Sequence, residues 1–370
     1  METTRNLGVD LLRSLSMFMV VVLHVLGQGG ILAALDAAPV RGGSFVLCWL
    51  LELACYCAVD CFGLISGYVS QSQVFEREKN FATWAQVAFW SAGITLLFRL
   101  FVPGTTRFRD VGKACFPAIT GQYWYFTAYF GLMFFIPFLN ILLHHLDRAQ
   151  TKSLMTALLV LFSLLPTVLD RDLFFTKAGY TLLWLTVLYL LGACVRKLDL
   201  LGRLPGWACL AGYLLCVLTA LGLKLLFRPG PGPLPPMGRF LRPDLLVSYT
   251  SPAVLFSALF LLALFRKLRV PAGLPARTVG FLAPLAFGVY LIHTHPLVWA
   301  FFLRDRFASY AQLPPLLCAG AALLTAGGIF LACTALEFCR HRVFRLLLPP
   351  VSARLFRRGG RQGQMPHAPR

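Results

Sequence analysis

Charged residues are scarce in this 370-residue chain, since Asp, Glu, Lys and Arg make up only 13% of it, about half the share found in soluble domains. Hydrophobic residues make up 58%, which is more than a soluble fold can hide from water. This composition excludes disorder, collagen and coiled-coil structure. The apolar runs are continuous and about 20 residues long, not short and alternating, which excludes a transmembrane β-barrel. The sequence therefore predicts an all-α polytopic membrane protein.

Acidic residues are scarcer still, with 15 Asp and Glu against 34 Lys and Arg. The basic residues lie mainly in short loops and in the C-terminal tail, so membrane topology and anionic headgroups explain the excess without a nucleic-acid partner. Metal motifs are also lacking, because the 11 Cys form no CxxC motif and no Cys/His spacing suited to zinc. We expect no bound metal and no resident cofactor.

Ten apolar stretches predict about ten transmembrane helices, and the second stretch is long enough for a tilted or broken helix. The stretches lie near residues 8–27, 45–70, 83–102, 122–143, 153–170, 178–195, 207–227, 248–265, 279–302 and 315–338. With both termini in the cytoplasm, the inner segments hold the larger share of Lys and Arg. We expect one membrane domain over residues 1–345 and a basic, disordered cytoplasmic tail over 346–370.

Ionisable side chains inside apolar stretches are costly and therefore mark candidate functional groups. Arg13 and His24 lie eleven residues apart on the first helix, which places them on one face about 16 Å apart along the axis. Asp60 lies midway along the second stretch and needs a partner, for which Arg13 or His24 is the candidate. A purely structural ion pair is the alternative. Glu52 and His293 are further candidates on the second and ninth stretches.

Several motifs in order resemble the membrane acyltransferase-3 family of bacterial O-acyltransferases, over roughly residues 5–345. Arg13 and His24 reproduce an Arg-x10-His signature. The other similar elements are DCFGLISGY (60–68), QYWYFTAYFGLMFFIPFL (122–139), SYTSPAVLFSALFLL (248–262) and AFGVYLIHTHPLVW (286–299). The chain departs from the family after the second helix, where many members carry an Arg-rich cluster and FEREKN here holds only Arg77 and Lys79. It looks like the stand-alone type.

The resemblance implies a multi-pass enzyme of the bacterial cytoplasmic membrane. It would transfer an acyl group, most often acetyl, from cytosolic acyl-CoA to a hydroxyl of a cell-surface or exported carbohydrate or related acceptor. Arg13, with Arg77 and Lys79, suits the phosphates of acyl-CoA, and His24 suits the base that activates the hydroxyl. His24 could instead carry the acyl group itself.

Other side chains have supporting roles in this interpretation. Asp60 could orient the His24 ring, while Trp124 and Tyr125 could line the acceptor path. A polysaccharide exporter or proton-coupled transporter is the alternative function, because such carriers also bury Arg, His and Asp in their helices.

Overall fold

The structure is a computed structural model that describes residues 6–38, 40–70, 77–226 and 242–356. Across these residues the chain is helical and forms no β-strand. Each of the ten apolar stretches contains a long helix. These helices are α1 (Leu7–Gln28), α2 (Gly43–Val69), α3 (Arg77–Phe101), α4 (Trp124–His145), α5 (Arg148–Leu169), α6 (Leu182–Leu198), α7 (Gly206–Leu226), α8 (Pro252–Lys267), α9 (Leu274–His293) and α10 (Pro315–Phe356).

Eight helices in the described part of the chain are long and apolar enough to cross a membrane. The other two, α6 and α8, have 17 and 16 residues, which is at the short end of what a bilayer requires. The predicted all-α membrane architecture is therefore confirmed. The total of ten spans and their orientation remain predictions.

Four of the helices contain an irregular segment: α1 and α2, a π-helical turn at Val160–Leu164 in α5, and a 3₁₀ turn at Ala283–Leu285 in α9. The second stretch is broken at Tyr56 and Cys57, where two helical halves meet in a turn, in agreement with the broken helix that its length allows. The first helix is regular from Leu7 to Leu23. At its start, the Asn6 side chain caps the helix by accepting a hydrogen bond from the backbone N–H of Val9. The helix then widens into a π-helical turn that begins at His24.

The centre of the bundle is formed by α1, of which 72% is buried, in contrast to 17% of α5. Next to α1, the second half of α2 packs closely against α6. A Cβ atom on Gly67 would lie 1.8 Å from the carbonyl oxygen of Tyr189, and one on Gly192 would lie 2.1 Å from that of Leu64. Small residues thus let the two backbones touch.

Hydrogen bonds near the helix termini define the two ends of the bundle. At one end, called the N-terminal end, Asn6 donates to the carbonyl of Arg266 at 3.0 Å, and Asn140 donates to that of Ser70 at 2.8 Å. At the other, called the His24 end, the backbone N–H of Asp305 donates to the carbonyl of Gln28 at 2.9 Å. All three contacts agree with consecutive long helices that alternate in direction, so that the end of one helix and the start of the next lie at the same end of the bundle.

The last helix continues to Phe356, beyond the predicted domain boundary at residue 345. Residues 357–370 of the predicted tail and residues 227–241 of the Pro-rich loop lie outside the described residues. The division into residues 1–345 and 346–370 therefore remains a prediction.

Candidate active site

A cavity of about 370 Å³ lies inside the bundle, between α1, α2, α4 and α9. We call it the aromatic cavity. Towards the N-terminal end it is lined by Arg13, Ser70 and Thr83, and towards the His24 end by His24 and Tyr249. Its remaining walls are largely aromatic and include Phe62, Trp124, Tyr125, Tyr129, Tyr180, Phe287 and Tyr290. Apolar walls with a few convergent polar groups are typical of small-molecule sites.

Arg13 and His24 face the same cavity, as their eleven-residue spacing on α1 predicts. The Arg13 guanidinium donates a hydrogen bond to Asp10 at 2.8 Å, one turn earlier on the helix. The Arg13 side chain is 32% exposed, and a guanidinium has five N–H donors. Arg13 can therefore keep its contact with Asp10 and still bind an anionic group in the cavity.

His24 pairs with His293, which α9 brings against the end of α1. The Nδ1 atom of His24 lies 2.9 Å from Nε2 of His293, and the two ring centroids are 5.1 Å apart. His293 is only 1% exposed, whereas His24 lines the cavity. The pair thus consists of one ring that a substrate can reach and one that it cannot.

Hydrogen-bond logic fixes the tautomers of this neutral pair. Nδ1 of His293 lies 2.6 Å from the carbonyl oxygen of Val289, which can only accept, so Nδ1 carries the hydrogen of His293. Its Nε2 must then accept, and Nδ1 of His24 must donate. The lone pair of His24 is therefore left on Nε2, where it can take a proton from a substrate.

Helix irregularities place the His24 ring. The π-helical turn that starts at His24 meets a second π-helical turn, Trp299–Leu303. The edge-to-face contact between the His24 and Trp299 rings has a centroid distance of 4.7 Å. Such turns are rare and occur frequently at functional sites. The sequence contains no signal for π-helical turns, so it does not single out Trp299 as a site residue.

Asp60 does not contact either predicted partner. Its carboxylate accepts a hydrogen bond from the indole of Trp184 at 3.0 Å, and its other oxygen has no hydrogen-bond partner among the described residues. Asp60 is fully buried and lies behind Val59 and Phe62, which face the cavity in its place. This corrects the prediction that Asp60 orients His24, because His293 occupies that position.

The remaining candidates divide into three groups. Trp124 and Tyr125 line the cavity, and their place on an acceptor path remains a prediction. Glu52 is buried on α2, but it does not line the cavity, and one of its oxygens has no hydrogen-bond partner in the part of the chain that the structure describes. Arg77 and Lys79 lie in the first turn of α3, but their side chains are outside the described residues. Within the described ranges, no cluster of His, Cys, Asp and Glu suits a metal ion.

Comparison with known proteins identifies the family of the chain. The family model described as an acyltransferase domain, Acyl_transf_3, matches residues 6–334, a range that contains both histidines and Arg13. No curated protein and no solved structure matches the chain. The match covers nearly the whole helical bundle, including all the walls of the aromatic cavity. The chain therefore belongs to the acyltransferase-3 family and is a multi-pass membrane acyltransferase.

Proposed function

We propose that the protein transfers a short acyl group, acetyl in the first instance, from cytosolic acyl-CoA to a hydroxyl of a cell-surface or exported carbohydrate. The observation that carries this proposal is one cavity with a fixed cation at one end and an imidazole lone pair at the other. The two groups are about 16 Å apart along α1. The pantetheine arm of CoA is long enough to place its phosphates and its thioester at two such separate points.

The donor enters at the Arg13 end. Acyl-CoA carries several phosphate charges, and the planar guanidinium of Arg13 suits bidentate contacts with them. Thr83 lines the cavity at this end, and it lies on the helix whose first turn holds Arg77 and Lys79. These two basic residues are part of the proposed donor site. The N-terminal end of the bundle then faces the cytoplasm, in line with the predicted orientation.

His24 acts as the general base. As the acceptor hydroxyl attacks the thioester carbonyl, Nε2 of His24 takes its proton, a contribution of roughly 10²–10⁴-fold to such reactions. The proton then passes to the departing CoA thiolate. His24 is positively charged between these steps, and its Nδ1–H bond to His293 becomes charge-assisted and stronger. This support for the imidazolium favours His24 as a base rather than as a carrier of the acyl group.

A vesicle experiment tests the proposal. The protein is reconstituted with radiolabelled acetyl-CoA inside and a glycan extract of the source cell's envelope outside, and the orientation is established by protease treatment. Protein molecules whose N-terminal end faces the vesicle lumen should transfer the label to the external glycan. A transporter would instead release labelled acetyl-CoA or move glycan without covalent labelling. The proposal would be refuted if the protein is fully inserted but the acetyl-CoA stays intact and the glycan stays unlabelled.

A further inference from the structure

A second cavity, of about 480 Å³, opens at the His24 end. We call it the polar cavity. It lies between the end of α5, the loop that precedes α6 and the segment that precedes α8, and its polar side chains include Asp170, Asp172, Arg242, Asp244 and Ser248. None of these residues belongs to the site that holds Arg13 and His24. In contrast to the aromatic cavity, whose charged lining residue is Arg13, its walls carry several charged groups.

The two cavities share a wall that is about one residue thick. Ala178 and Ser248 line the polar cavity, whereas Tyr180 and Tyr249 line the aromatic cavity. Between these positions, a Cβ atom on Gly179, whose φ is +103°, would lie 2.5 Å from Cβ of Tyr249. The two segments therefore touch directly, and their side chains alternate between the two cavities.

Three aromatic rings fill this wall, and we call them the aromatic wall. The ring centroids of Trp124 and Tyr180 are 4.6 Å apart, those of Tyr180 and Tyr249 are 5.1 Å apart, and those of Trp124 and Tyr249 are 6.4 Å apart. The Tyr180 side chain is 46% exposed. Tyr180 and Tyr249 belong to the two segments whose neighbouring residues line the polar cavity, so these rings lie between the two cavities.

Charges in the polar cavity compensate one another. Arg242 forms an ion pair with Asp170, and Lys224 forms one with Asp244 at 2.6 Å. Asp172 accepts hydrogen bonds from the side chain and backbone of Thr176 and from the backbone of Lys177. Partial burial raises the pKa of Asp172, but these hydrogen bonds outweigh it and keep the pKa below its usual range.

The ligand chemistry follows from this balance. Asp170, Asp172 and Asp244 carry three negative charges. Arg171 and Arg242, which also line the cavity, and Lys224, which pairs with Asp244, carry three positive ones. Little net charge is left to attract a phosphate or a uronic acid, so an anionic ligand is disfavoured. Each carboxylate still has lone pairs to offer, each guanidinium has unused N–H groups, and Ser248 adds a hydroxyl. Such a mixture of donors and acceptors matches a neutral molecule with many hydroxyls.

We propose that the polar cavity binds the neutral, polyhydroxylated acceptor, and that the aromatic wall opens to pass one of its hydroxyls to His24. This inference rests on the proposed function, since it assumes that a hydroxyl has to reach His24. The donor then enters the aromatic cavity from the N-terminal end and the acceptor enters the polar cavity from the His24 end, with the aromatic wall between the two cavities. Water is kept from the thioester while the wall is closed, which protects the donor from hydrolysis.

Cysteine labelling tests this inference on the full chain. Ser248→Cys places a thiol in the polar cavity, and Ala37→Cys is the matched control, because Ala37 is exposed at the same end and does not line the cavity. The wild type, with its own 11 cysteines, gives the background. The readouts are the rate of reaction with a bulky, membrane-impermeant maleimide, CoA binding by calorimetry, and acyl transfer.

The neutral oligosaccharide fraction of the source cell's envelope should slow labelling of Ser248→Cys at least threefold and leave Ala37→Cys unaffected. Complete labelling should reduce transfer at least tenfold with unchanged CoA binding. Thr167→Cys, which lines the same cavity, replaces Ser248→Cys if that variant does not insert. Labelling that the neutral fraction does not slow, or that only the anionic fraction slows, would overturn the inference, as would full transfer after complete labelling. Absence of CoA binding and transfer in the wild type, with protection still present, would refute the proposed function alone.

Discussion

At the scale of single residues, His293 decides which nitrogen of His24 is free. It donates from Nδ1 to the Val289 carbonyl and accepts at Nε2 from His24. His293→Leu removes the acceptor and leaves the tautomer of His24 unfixed, so we expect at least a tenfold loss of transfer rate with unchanged CoA affinity. His293→Gln should recover part of the rate, because its amide can also donate and accept. Equal rates for the two variants would show that the hydrogen bond does not matter.

Arg13 gives a second prediction at this scale. Arg13→Lys keeps the charge but loses the planar, bidentate fork, so we expect weaker CoA binding, and Arg13→Ala should bind CoA more weakly still. Arg109→Ala is the control, because Arg109 is exposed and follows α3 at the opposite end of the bundle. Calorimetric titration with CoA measures the three affinities. An Arg13→Ala protein with wild-type affinity would remove Arg13 from the donor site.

The sequence predicted the residues of the site better than their partners. The positions of Arg13 and His24 on one face follow from helical periodicity, and both face the same cavity. Asp60 was expected to contact one of them, but it hydrogen-bonds to Trp184 from α6. Helical periodicity indicates which face of a helix a residue occupies, but it does not indicate which other helix packs against that face. The His24–His293 contact, 269 positions apart, depends on that neighbourhood.

At the scale of helices, the close approach of α2 and α6 holds the wall of the cavity in place. Gly67→Ala would force a methyl group against the backbone of Tyr189, and overpacking of this kind costs about 1–3 kcal/mol. We expect a lower midpoint of thermal unfolding in detergent for Gly67→Ala and for Gly192→Ala. Gly93→Ala is the control, because its Cβ would meet nothing within 4 Å. Equal midpoints for Gly67→Ala and Gly93→Ala would contradict this packing.

The helices also show which features of the fold the sequence pattern predicts and which it does not. Ten apolar runs located ten helices, because apolar length is a direct requirement of the bilayer. The π-helical turns at His24 and Trp299 could not be predicted, since no residue preference distinguishes them from regular helix. The glycines of α2 that contact α6 follow a known rule, because small residues serve helix contacts in membranes.

At the scale of the whole molecule, the alternating helices and the distribution of Lys and Arg predict both termini in the cytoplasm. A topology reporter fused after Arg370 should report a cytoplasmic location, and one inserted near Gly232 should report an external location. This arrangement places the polar cavity on the outer surface and Arg13 towards the cytoplasm. Two reporters on the same side would contradict the ten-span topology and the direction of transfer that depends on it.

The central claim is that the imidazole of His24 takes the proton of the acceptor hydroxyl, and the transfer rate of His24→Gln tests it most directly. Gln keeps hydrogen-bonding capacity but cannot take the proton. The measurement is the transfer of label from acetyl-CoA to external glycan by correctly inserted protein, with CoA binding as the control. We predict that His24→Gln loses roughly 10²–10⁴-fold in rate, as His24→Ala does, and still binds CoA. A His24→Gln enzyme that transfers at a rate close to wild type would contradict the account.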